Sequence, residues 1–481
     1  MALEQYVYNP LLVGVIVLIF TWLIIYFWNN NRKLPPGPWG LPFIGYYPYI
    51  SDRPHEDFFK LSKKYGNVFS FRTLGGRLII ILNGTKVIKE VLINRADEFI
   101  GRPYGNNVIT LMSDGIGITQ EDGIPWKEQR RFFMHNLKNF GVGKAEMENH
   151  IADEVQSMLK ILRKNTGRST EILAHLAYAT NSFVSQILFS TKLDRNDPRM
   201  PKILRSGQGL RELFIGRANY LVGWIHDLYA TILPTQRKAI KDRDYLRTIT
   251  DAFIDERLTS FDPDHIRDYV DVYLSKRNEL LKSGKLNESS FSMERLRAIS
   301  FNLYIEGMES VSTAIMGMLV ELSKHLSVQC EAQKEMDNVV GRERLPSWSD
   351  RLNLPYLDAT IQELYRFAAP FLITTQYSNF EETTIEGYRI PRRSVIVSNL
   401  WSVNLDPEVF EEPEKFNPRR YLNSEGRRIK ISGPYPFSLG KRSCVGESFA
   451  QVEVFLIIAS LLQNFELHPG DNEESLKLVE R

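Results

Sequence analysis

The stretch that decides the fold lies near the carboxyl end and reads Phe437-Ser438-Leu439-Gly440-Lys441-Arg442-Ser443-Cys444-Val445-Gly446, called the cysteine loop below. An apolar-periodic segment, Phe449 to Leu462, follows it and is typical of one face of a helix. The pattern predicts that Cys444 lies in a tight loop at a helix N-terminus, beside Arg442. Backbone N–H groups and the helix dipole favour a thiolate at such a position.

Several roles are open to this cysteine. A catalytic nucleophile needs a histidine base, and none of the eight histidines lies near Cys444 in the sequence. Zinc needs three or four nitrogen or sulfur ligands, and the chain has neither a CxxC motif nor a histidine cluster. One thiolate suffices for a haem iron, and a buried core cysteine is the ordinary alternative. The other cysteine, Cys330, has no flanking glycines or arginine of this kind, and we expect it in the core.

Composition excludes several classes of protein. The chain has 481 residues, of which 43% are hydrophobic and 25% charged, and its 60 basic and 58 acidic residues give a net charge of +2. These values exclude a disordered chain, a collagen and a polybasic nucleic-acid-binding protein. Two cysteines in a chain of this length indicate a reducing compartment.

The amino-terminal segment carries an uncharged run of 18 residues, from Leu11 to Trp28. A helix of that length spans about 27 Å, close to the hydrocarbon thickness of a bilayer. No small-residue cleavage site follows, so a retained anchor is favoured over a cleaved signal peptide. Arg32 and Lys33 place the remainder on the cytoplasmic side. We expect an anchor at residues 1–30, a stiff proline-rich linker at 31–50 and one catalytic domain at 51–481.

Helical periodicity dominates the remainder of the chain. Strand-like stretches occur only at Val68–Thr73, Leu78–Leu82 and Val395–Ser398. No internal repeat and no shift in composition divides residues 51–481. The sequence therefore predicts a mainly α-helical domain with a small β region.

One predicted helix is unusually long. It begins after Ser292, a suitable N-cap, and no proline interrupts it from Met293 to Leu326. Gly307 lies in its middle, where a glycine often marks the close approach of another group. Glu306, Glu309 and Ser310 are polar residues beside that glycine, and a solvated helix face is the simpler explanation for them.

Two further motifs are weak when taken alone. Glu363 and Arg366 are i,i+3 neighbours that can pair, although most such pairs lie on the surface. Trp126 and Arg130 lie one helical turn apart and together suit an anionic group, with a core tryptophan and a surface arginine as the alternative.

In their order along the chain, these motifs resemble the cytochrome P450 family, and in particular its membrane-anchored animal microsomal members. The cysteine loop matches the family pattern F-x-x-G-x-R-x-C-x-G at every fixed position. The resemblance implies an α-rich prism-shaped domain with a small β region, preceded by one transmembrane helix. It also implies haem b as cofactor, with Cys444 as the ligand of the iron.

The resemblance also implies roles for individual residues of this chain. Trp126, Arg130 and Arg442 match the partners of the haem propionates, and Tyr377 stands where many relatives have a basic partner. The cofactor-binding residues implied are Cys444, Trp126, Arg130, Arg442, Phe437, Gly440, Gly446 and Tyr377. A structural ion network is implied for Glu363, Arg366 and Arg420.

By the same resemblance, Glu309 and Ser310 form the acid and alcohol that deliver protons, and the notch at Gly307 admits oxygen or substrate. The chain departs from the family here. Serine replaces the usual threonine at Ser310 but keeps the hydroxyl. Glu306 replaces an alanine, and an extra carboxylate could face the pocket and bind a polar substrate group or hinder oxygen activation.

Oxygen activation needs two electrons, and the chain has no nucleotide-binding glycine loop. The expected partners are therefore an NADPH-dependent flavoprotein, the cytochrome P450 reductase, and cytochrome b5 as a further candidate. A basic surface behind the haem suits an acidic partner. Its predicted members are Lys127, Arg131, Lys138, Arg428, Lys430 and Lys441.

The resulting hypothesis is a haem-thiolate monooxygenase of the endoplasmic reticulum membrane. It would insert one oxygen atom from O2 into a lipophilic small molecule, by hydroxylation or epoxidation, on the cytoplasmic side. The segment Tyr220–Leu233 would lie in the substrate-entry region and dip into the bilayer, or form an ordinary amphipathic core helix. The alternatives are a haem-thiolate isomerase or dehydratase that acts on a peroxide, and a haem-binding protein without turnover.

Overall fold

The structure is a computed structural model. It describes residues 33–481 apart from 106, 138–144, 216–219, 221–223, 369–370 and 473–474, together with Gly14, Leu18 and Thr21. The predicted anchor therefore lies almost wholly outside the described residues, although the three that are described within it are helical. In the part of the chain that is described, no helix is long and apolar enough to cross a membrane.

The described chain is mainly helical, as predicted. The α-helices in chain order are α1 Pro54–Tyr65, α2 Thr85–Lys89, α3 Ala96–Phe99, α4 Val108–Ser113, α5 Gly123–Leu137, α6 Ala145–Arg163, α7 Leu173–Phe189, α8 Met200–Ile215, α9 Trp224–Ile232, α10 Pro234–Thr259, α11 Tyr269–Lys282, α12 Met293–Ser323, α13 Leu326–Val339, α14 Pro355–Phe367, α15 Trp401–Asn404 and α16 Glu447–Asn464. Short 3-10 turns and one π-helical turn, Glu90–Asn94, connect some of them.

The strands form three small sheets. They are β1 Val68–Arg72, β2 Leu78–Leu82, β3 Ser169–Glu171, β4 Tyr377–Ser378, β5 Thr383–Ile385, β6 Tyr388–Ile390, β7 Val395–Ser398, β8 Phe465–Pro469 and β9 Ser475–Glu480. The first sheet has the order β1-β2-β7-β4, and only its β2–β7 pair is parallel. The others have the order β3-β9-β8 and the hairpin β5-β6. The three strand-like stretches predicted from the sequence are all strands of the first sheet.

Residues of the predicted linker pack against the first sheet. The Pro36 carbonyl accepts the Ser70 N–H at 2.8 Å, and the Pro35 carbonyl accepts the Ser70 hydroxyl at 2.7 Å. Gly37 lies so close to β1 that a β-carbon there would overlap the Ser70 carbonyl oxygen. Proline carbonyls thus extend the pairing of β1, and these residues are part of the folded body.

The long helix α12 joins the two largest parts of the core. Ser292 caps it by accepting the Arg295 N–H at 3.1 Å, as predicted. Its amino-terminal half packs with α5, α7, α10 and α11, and its carboxyl-terminal half packs with α6, α13, α14 and α16. It ends at Ser323, three residues before the predicted end. Leu326 instead begins α13, with His325 as the N-cap of that helix.

The glycine in the middle of α12 is explained by a neighbouring helix. A β-carbon at Gly307 would lie 2.8 Å from a methyl of Val184 in α7. The close approach predicted at this position is therefore between two helices. The expectation that Gly307 forms a notch for oxygen or substrate is wrong, because the Val184 side chain fills that space.

The Glu363–Arg366 pair is buried in α14, with side-chain exposures of 0% and 1%. Two parallel hydrogen bonds of 2.7 and 2.8 Å join them. Arg420 donates to the same carboxylate at 3.1 Å, and its side chain is 8% exposed. The remaining guanidinium N–H groups of Arg366 bind carbonyls of the 404–415 segment. The pair is therefore not the surface ion pair that its spacing alone favoured.

The segment Tyr220–Leu233 is described only in part. Tyr220 is buried, and α9 follows it. His226 lies on the inner face of α9, whereas Leu228 and Ile232 are 50% and 59% exposed. The helix thus lies at the surface with apolar side chains on its outer face.

We predict that Gly307→Ala lowers the free energy of unfolding by about 1 kcal/mol, because the new methyl overlaps Val184. Gly317→Ala in the same helix is the control, since its β-carbon would be 3.5 Å from the nearest atom. That variant should be neutral or stabilising by up to about 1 kcal/mol. Urea unfolding followed by circular dichroism measures both. Failure of Val184→Ala to rescue Gly307→Ala would contradict the packing argument.

We also predict that Glu363→Gln destabilises the fold by about 3–5 kcal/mol, because it leaves two buried guanidinium groups without a counter-charge. The control Glu382→Gln disrupts the half-exposed pair with Arg389 and should leave the unfolding midpoint unchanged. Equal midpoints for the two variants in urea would show that the buried network does not stabilise the fold.

Candidate active site

The cysteine loop is fixed at both ends before it enters α16. The Phe437 ring packs edge-on against Tyr365 of α14, with ring centres 5.5 Å apart, and its carbonyl accepts the Cys444 N–H at 2.9 Å. Gly440 has a φ of 72°, and a β-carbon there would overlap the Leu92 carbonyl oxygen. Only glycine fits that position, because both the backbone conformation and the contact exclude a side chain. Gly446 is the N-cap of α16.

The Cys444 sulfur is both accessible and desolvated, from which we infer a space enclosed by protein in front of it, called the void below. Its side chain is exposed, yet surrounding protein desolvates it and raises the pKa of its thiol to about 11. A hydrogen bond from the Gly446 backbone and the charge of Arg130 act in the opposite direction but are weaker. The thiolate-favouring backbone contact expected at the helix N-terminus is therefore present, but desolvation outweighs it. A thiol in this state is a poor nucleophile at neutral pH, whereas a metal ion displaces the proton when it binds.

Arg442 does not approach the sulfur as the sequence suggested. Its guanidinium lies 3.8 Å from the centre of the Trp126 ring. Its N–H groups donate to three backbone carbonyls, those of Ile100, Ile118 and Glu121. The side chain thereby ties the cysteine loop to the segment before α5.

Two other arginines lie beside Arg442. Desolvation, together with the charge of Arg102, lowers the pKa of Arg442 to about 8. Arg130 donates to the Ser443 carbonyl at 2.5 Å, and Arg102 lies 5.1 Å from the centre of the Tyr377 ring. None of the three guanidinium groups forms an ion pair with a carboxylate within the described ranges. Glu306 and Asp122 act on these guanidinium groups only through longer-range charge. Three cations held together without an ion pair fit an anionic ligand.

Neutral donors complete this cluster. The indole N–H of Trp126 is buried and has no hydrogen-bond partner among the described residues. The Tyr377 hydroxyl lies 3.5 Å from that of Ser438, so β4 brings this residue to the cysteine loop. A ligand that carries two carboxylates would satisfy the cations and these donors together. The donor set therefore fits the propionates of haem.

The sequence did not single out Arg102. It is 6% exposed and donates to the carbonyls of Thr119 and Gln376 at 2.7 and 2.8 Å. Gln376 is 274 residues away, and both contacts are with backbone carbonyls. No pattern of side chains in the sequence therefore indicates the position of this arginine. A lone charged residue in the apolar stretch Phe99-Ile100-Gly101-Arg102-Pro103 was the one sign of it in the sequence.

The polar residues of α12 point in different directions. Glu306 faces the void, because its side chain is exposed while desolvation raises its pKa, and its charge acts on both Cys444 and Arg102. Glu309 is 7% exposed and packs against Gly207 of α8. Desolvation raises the pKa of Glu309 to about 7. Ser310 is half-buried. The solvated-face explanation is therefore wrong for Glu309.

The predicted basic surface is only partly available to a partner. Lys127, Arg131, Lys430 and Lys441 are exposed, and Lys441 forms an exposed ion pair with Asp97, whose pKa both Lys441 and Lys127 lower. Arg428 is instead tied to Asp358 at 2.6 Å and to the Tyr421 carbonyl at 3.0 Å. Lys138 lies outside the described residues.

Other metal chemistry finds no support among the described residues, where no group of three or more histidine, cysteine, aspartate or glutamate side chains could hold an ion. Cys330 is exposed, so its expected place in the core is wrong. A single sulfur facing a void beside a cluster of cations remains. This arrangement suits a cofactor that supplies the other metal ligands itself.

Comparison with known proteins agrees with this geometry. The family model described as Cytochrome P450 matches residues 35–480. The chain is 32% identical to cytochrome P450 2F2 of Rattus norvegicus over 454 residues, which cover 94% of this chain and 91% of the relative. It is 31% identical to cytochrome P450 18a1 of Drosophila melanogaster over 468 residues, covering 94% and 84%. Cytochrome P450 2A6 of Homo sapiens is 29% identical over 474 residues, covering 97% and 94%.

The match spans both the cysteine loop and the donor cluster formed by Arg102, Trp126, Arg130, Tyr377 and Arg442, so the chemistry of these residues and the family assignment support each other. The chain belongs to the cytochrome P450 family of haem-b-binding monooxygenases.

Proposed function

We propose that this chain is a membrane-anchored haem-thiolate monooxygenase that inserts one oxygen atom from O2 into a lipophilic small molecule, by hydroxylation or epoxidation. The observation that carries the proposal is the desolvated Cys444 sulfur beside three arginines that form no ion pair with a carboxylate of the described residues. The domain at residues 51–481 would contain the whole site. Family membership supplies the general class of reaction.

The residues that would hold haem divide into two groups. Cys444 would be the protein ligand of the iron, in a loop shaped by Phe437, Gly440 and Gly446. The propionates would take hydrogen bonds and charge from the donor cluster, Arg102, Trp126, Arg130, Tyr377 and Arg442. When bound through a thiolate, haem iron activates dioxygen, because the sulfur donates electron density that favours O–O cleavage.

Proton delivery would use Glu309 and Ser310. Glu309 carries a buried carboxyl oxygen without a hydrogen-bond partner among the described residues, and the charge of Arg211 opposes the rise in its pKa. Arg211 is in turn held by the Thr313 hydroxyl at 2.8 Å. Glu309 would store a proton on the α8 side of the helix, and Ser310 would pass it toward the void.

Electrons would come from an NADPH-dependent flavoprotein, the cytochrome P450 reductase, with cytochrome b5 as a further donor. The exposed lysines and arginines near the cysteine loop, Lys127, Arg131 and Lys441, would bind an acidic partner surface. Association of this kind weakens as ionic strength rises.

We place the protein in the endoplasmic reticulum membrane, with the domain on the cytoplasmic side. The uncharged run Leu11–Trp28 would be the anchor, and the basic residues after it set the orientation. Apolar side chains at the surface would lie against the bilayer as well. Trp39 and Phe43 are 94% and 95% exposed, and the outer face of α9 would add to this contact.

A haem-thiolate isomerase or dehydratase that rearranges a peroxide is the second candidate. The carboxyl group of Glu306 in the void, where the family usually has alanine, favours it. Such an enzyme needs no reductase. NADPH consumption with purified reductase and a product containing one atom from labelled O2 would therefore distinguish the monooxygenase from it.

We predict that Cys444→Ala abolishes the strongly red-shifted Soret band of the reduced carbonyl complex, because the iron loses its sulfur ligand. The absorption spectrum of the reduced, carbon-monoxide-treated protein measures this. Cys330→Ala is the matched control and should keep the band. Retention of the band by Cys444→Ala would refute the ligand assignment.

A second prediction concerns pH. Because the pKa of Glu309 is raised to about 7, its carboxyl holds a proton below that pH and loses it above. Turnover should therefore decrease as pH rises through about 7. Glu309→Gln should lower turnover about tenfold or more, keep its haem content and lose this pH dependence. The exposed Glu294→Gln serves as control, and unchanged turnover in Glu309→Gln would remove Glu309 from proton delivery.

A further inference from the structure

Glu306 is a carboxyl group held in position inside the void. Its Oε1 accepts a hydrogen bond from the Thr119 hydroxyl at 2.7 Å. The carbonyl of the same Thr119 accepts the Nε–H of Arg102 at 2.7 Å. One residue of the loop before α5 thus fixes both the carboxyl group and a member of the donor cluster.

A second contact holds that loop against α12. Asn302 lies one helical turn before Glu306 and donates to the Ile116 carbonyl at 3.4 Å. A β-carbon on Gly117, whose φ is 108°, would lie 3.1 Å from the Asn302 amide nitrogen. The loop and the helix therefore contact each other at Glu306 and one helical turn before it, which limits the movement of the carboxyl.

The second carboxyl oxygen of Glu306 has no hydrogen-bond partner among the described residues. Desolvation raises the pKa of Glu306, and Arg102 is the cation whose charge opposes that rise. Arg102 already donates to two carbonyls and belongs to the donor cluster that would hold the haem propionates. One carboxyl oxygen of this exposed side chain therefore remains available to a ligand.

We propose that Glu306 determines specificity: it selects lipophilic substrates that present an N–H or O–H donor to its free carboxyl oxygen. This inference rests on the proposed function and goes beyond it by naming a chemical class of substrate. A purely apolar ligand would displace water from the carboxyl and leave it unsatisfied. A carboxylate ligand would be repelled. A hydroxyl or an ammonium group would satisfy the free oxygen. Glu306 would therefore favour ligands that carry such a donor and disfavour apolar and anionic ligands.

Glu309 does not serve this purpose. It lies three residues away on the same helix, but its carboxyl packs against α8. The two acids therefore have separate tasks, and Glu306 variants test specificity without removing the proposed proton donor.

The test is a set of ligands with one chain length: 1-decanol, N,N-dimethyldecylamine, decanoic acid and decane. The tertiary amine is chosen because crowding at nitrogen disfavours direct binding to iron. Soret titrations of the haem-loaded full chain give a dissociation constant for each ligand. The alcohol and the amine should bind the wild type at least tenfold more tightly than the acid and the alkane.

Glu306→Ala should reduce these ratios to about one, and Thr119→Val should reduce them less, because it removes only the support of the carboxyl. Glu306→Gln keeps an acceptor oxygen, so it should retain the preference for the alcohol and lose that for the amine. The control is the exposed Glu294→Gln on the same helix, which should behave as the wild type.

Ratios in Glu306→Ala within twofold of the wild type would overturn the inference, and so would the absence of a spectral shift with every ligand. The reduced carbonyl spectrum of each variant separates this from failure of the proposed function. A normal haem-thiolate band with unchanged ratios rejects only the role of Glu306. Absence of the band in the wild type rejects the proposed function itself.

Discussion

The desolvation of one sulfur atom is the constraint on which the active site depends. The protein surrounds Cys444 closely enough to raise the pKa of its thiol to about 11, while leaving the sulfur open to a void. The packing of protein around the sulfur therefore disfavours its ionisation. A bound iron would supply the missing charge, so the site is completed by its cofactor and not by a neighbouring base.

The arginine cluster, like the sulfur, needs a bound ligand to balance its charge. Arg102, Arg130 and Arg442 are brought together by backbone carbonyls and an indole ring, not by carboxylates. Such a cluster is unfavourable until an anion neutralises it. The fold thus holds groups of unmatched charge in fixed positions. The packing of α12 and the buried Glu363–Arg366 pair stabilise that fold.

The sequence predicted the elements whose cause is local. The cysteine loop, the N-cap Ser292 and three of the four strands of the first sheet each depend on residues close in the chain, and all were found in the structure. The sign of the Cys444 pKa shift was not predictable, since it depends on protein packed around the sulfur from distant segments. Arg102 was missed for the same reason, because its partner Gln376 is remote and contributes only a carbonyl.

At Gly307 the sequence correctly predicted the close approach of another group but assigned it to oxygen or substrate. The sequence indicated close approach at that glycine, but only the structure identifies Val184 as the group that approaches. Glu306, by contrast, is exposed, and its charge acts on both Cys444 and Arg102. The acceptor it offers there is what distinguishes this chain from an α12 that carries alanine at the same place.

Iron X-ray absorption on the haem-loaded protein tests the central claim most directly, because it identifies the atoms bound to the metal. With Cys330 replaced by serine, Cys444 is the only remaining cysteine. The account predicts one sulfur and the porphyrin nitrogens around the iron in both the wild type and Cys330→Ser. A first shell of nitrogen and oxygen alone, or loss of the sulfur in Cys330→Ser, would contradict it.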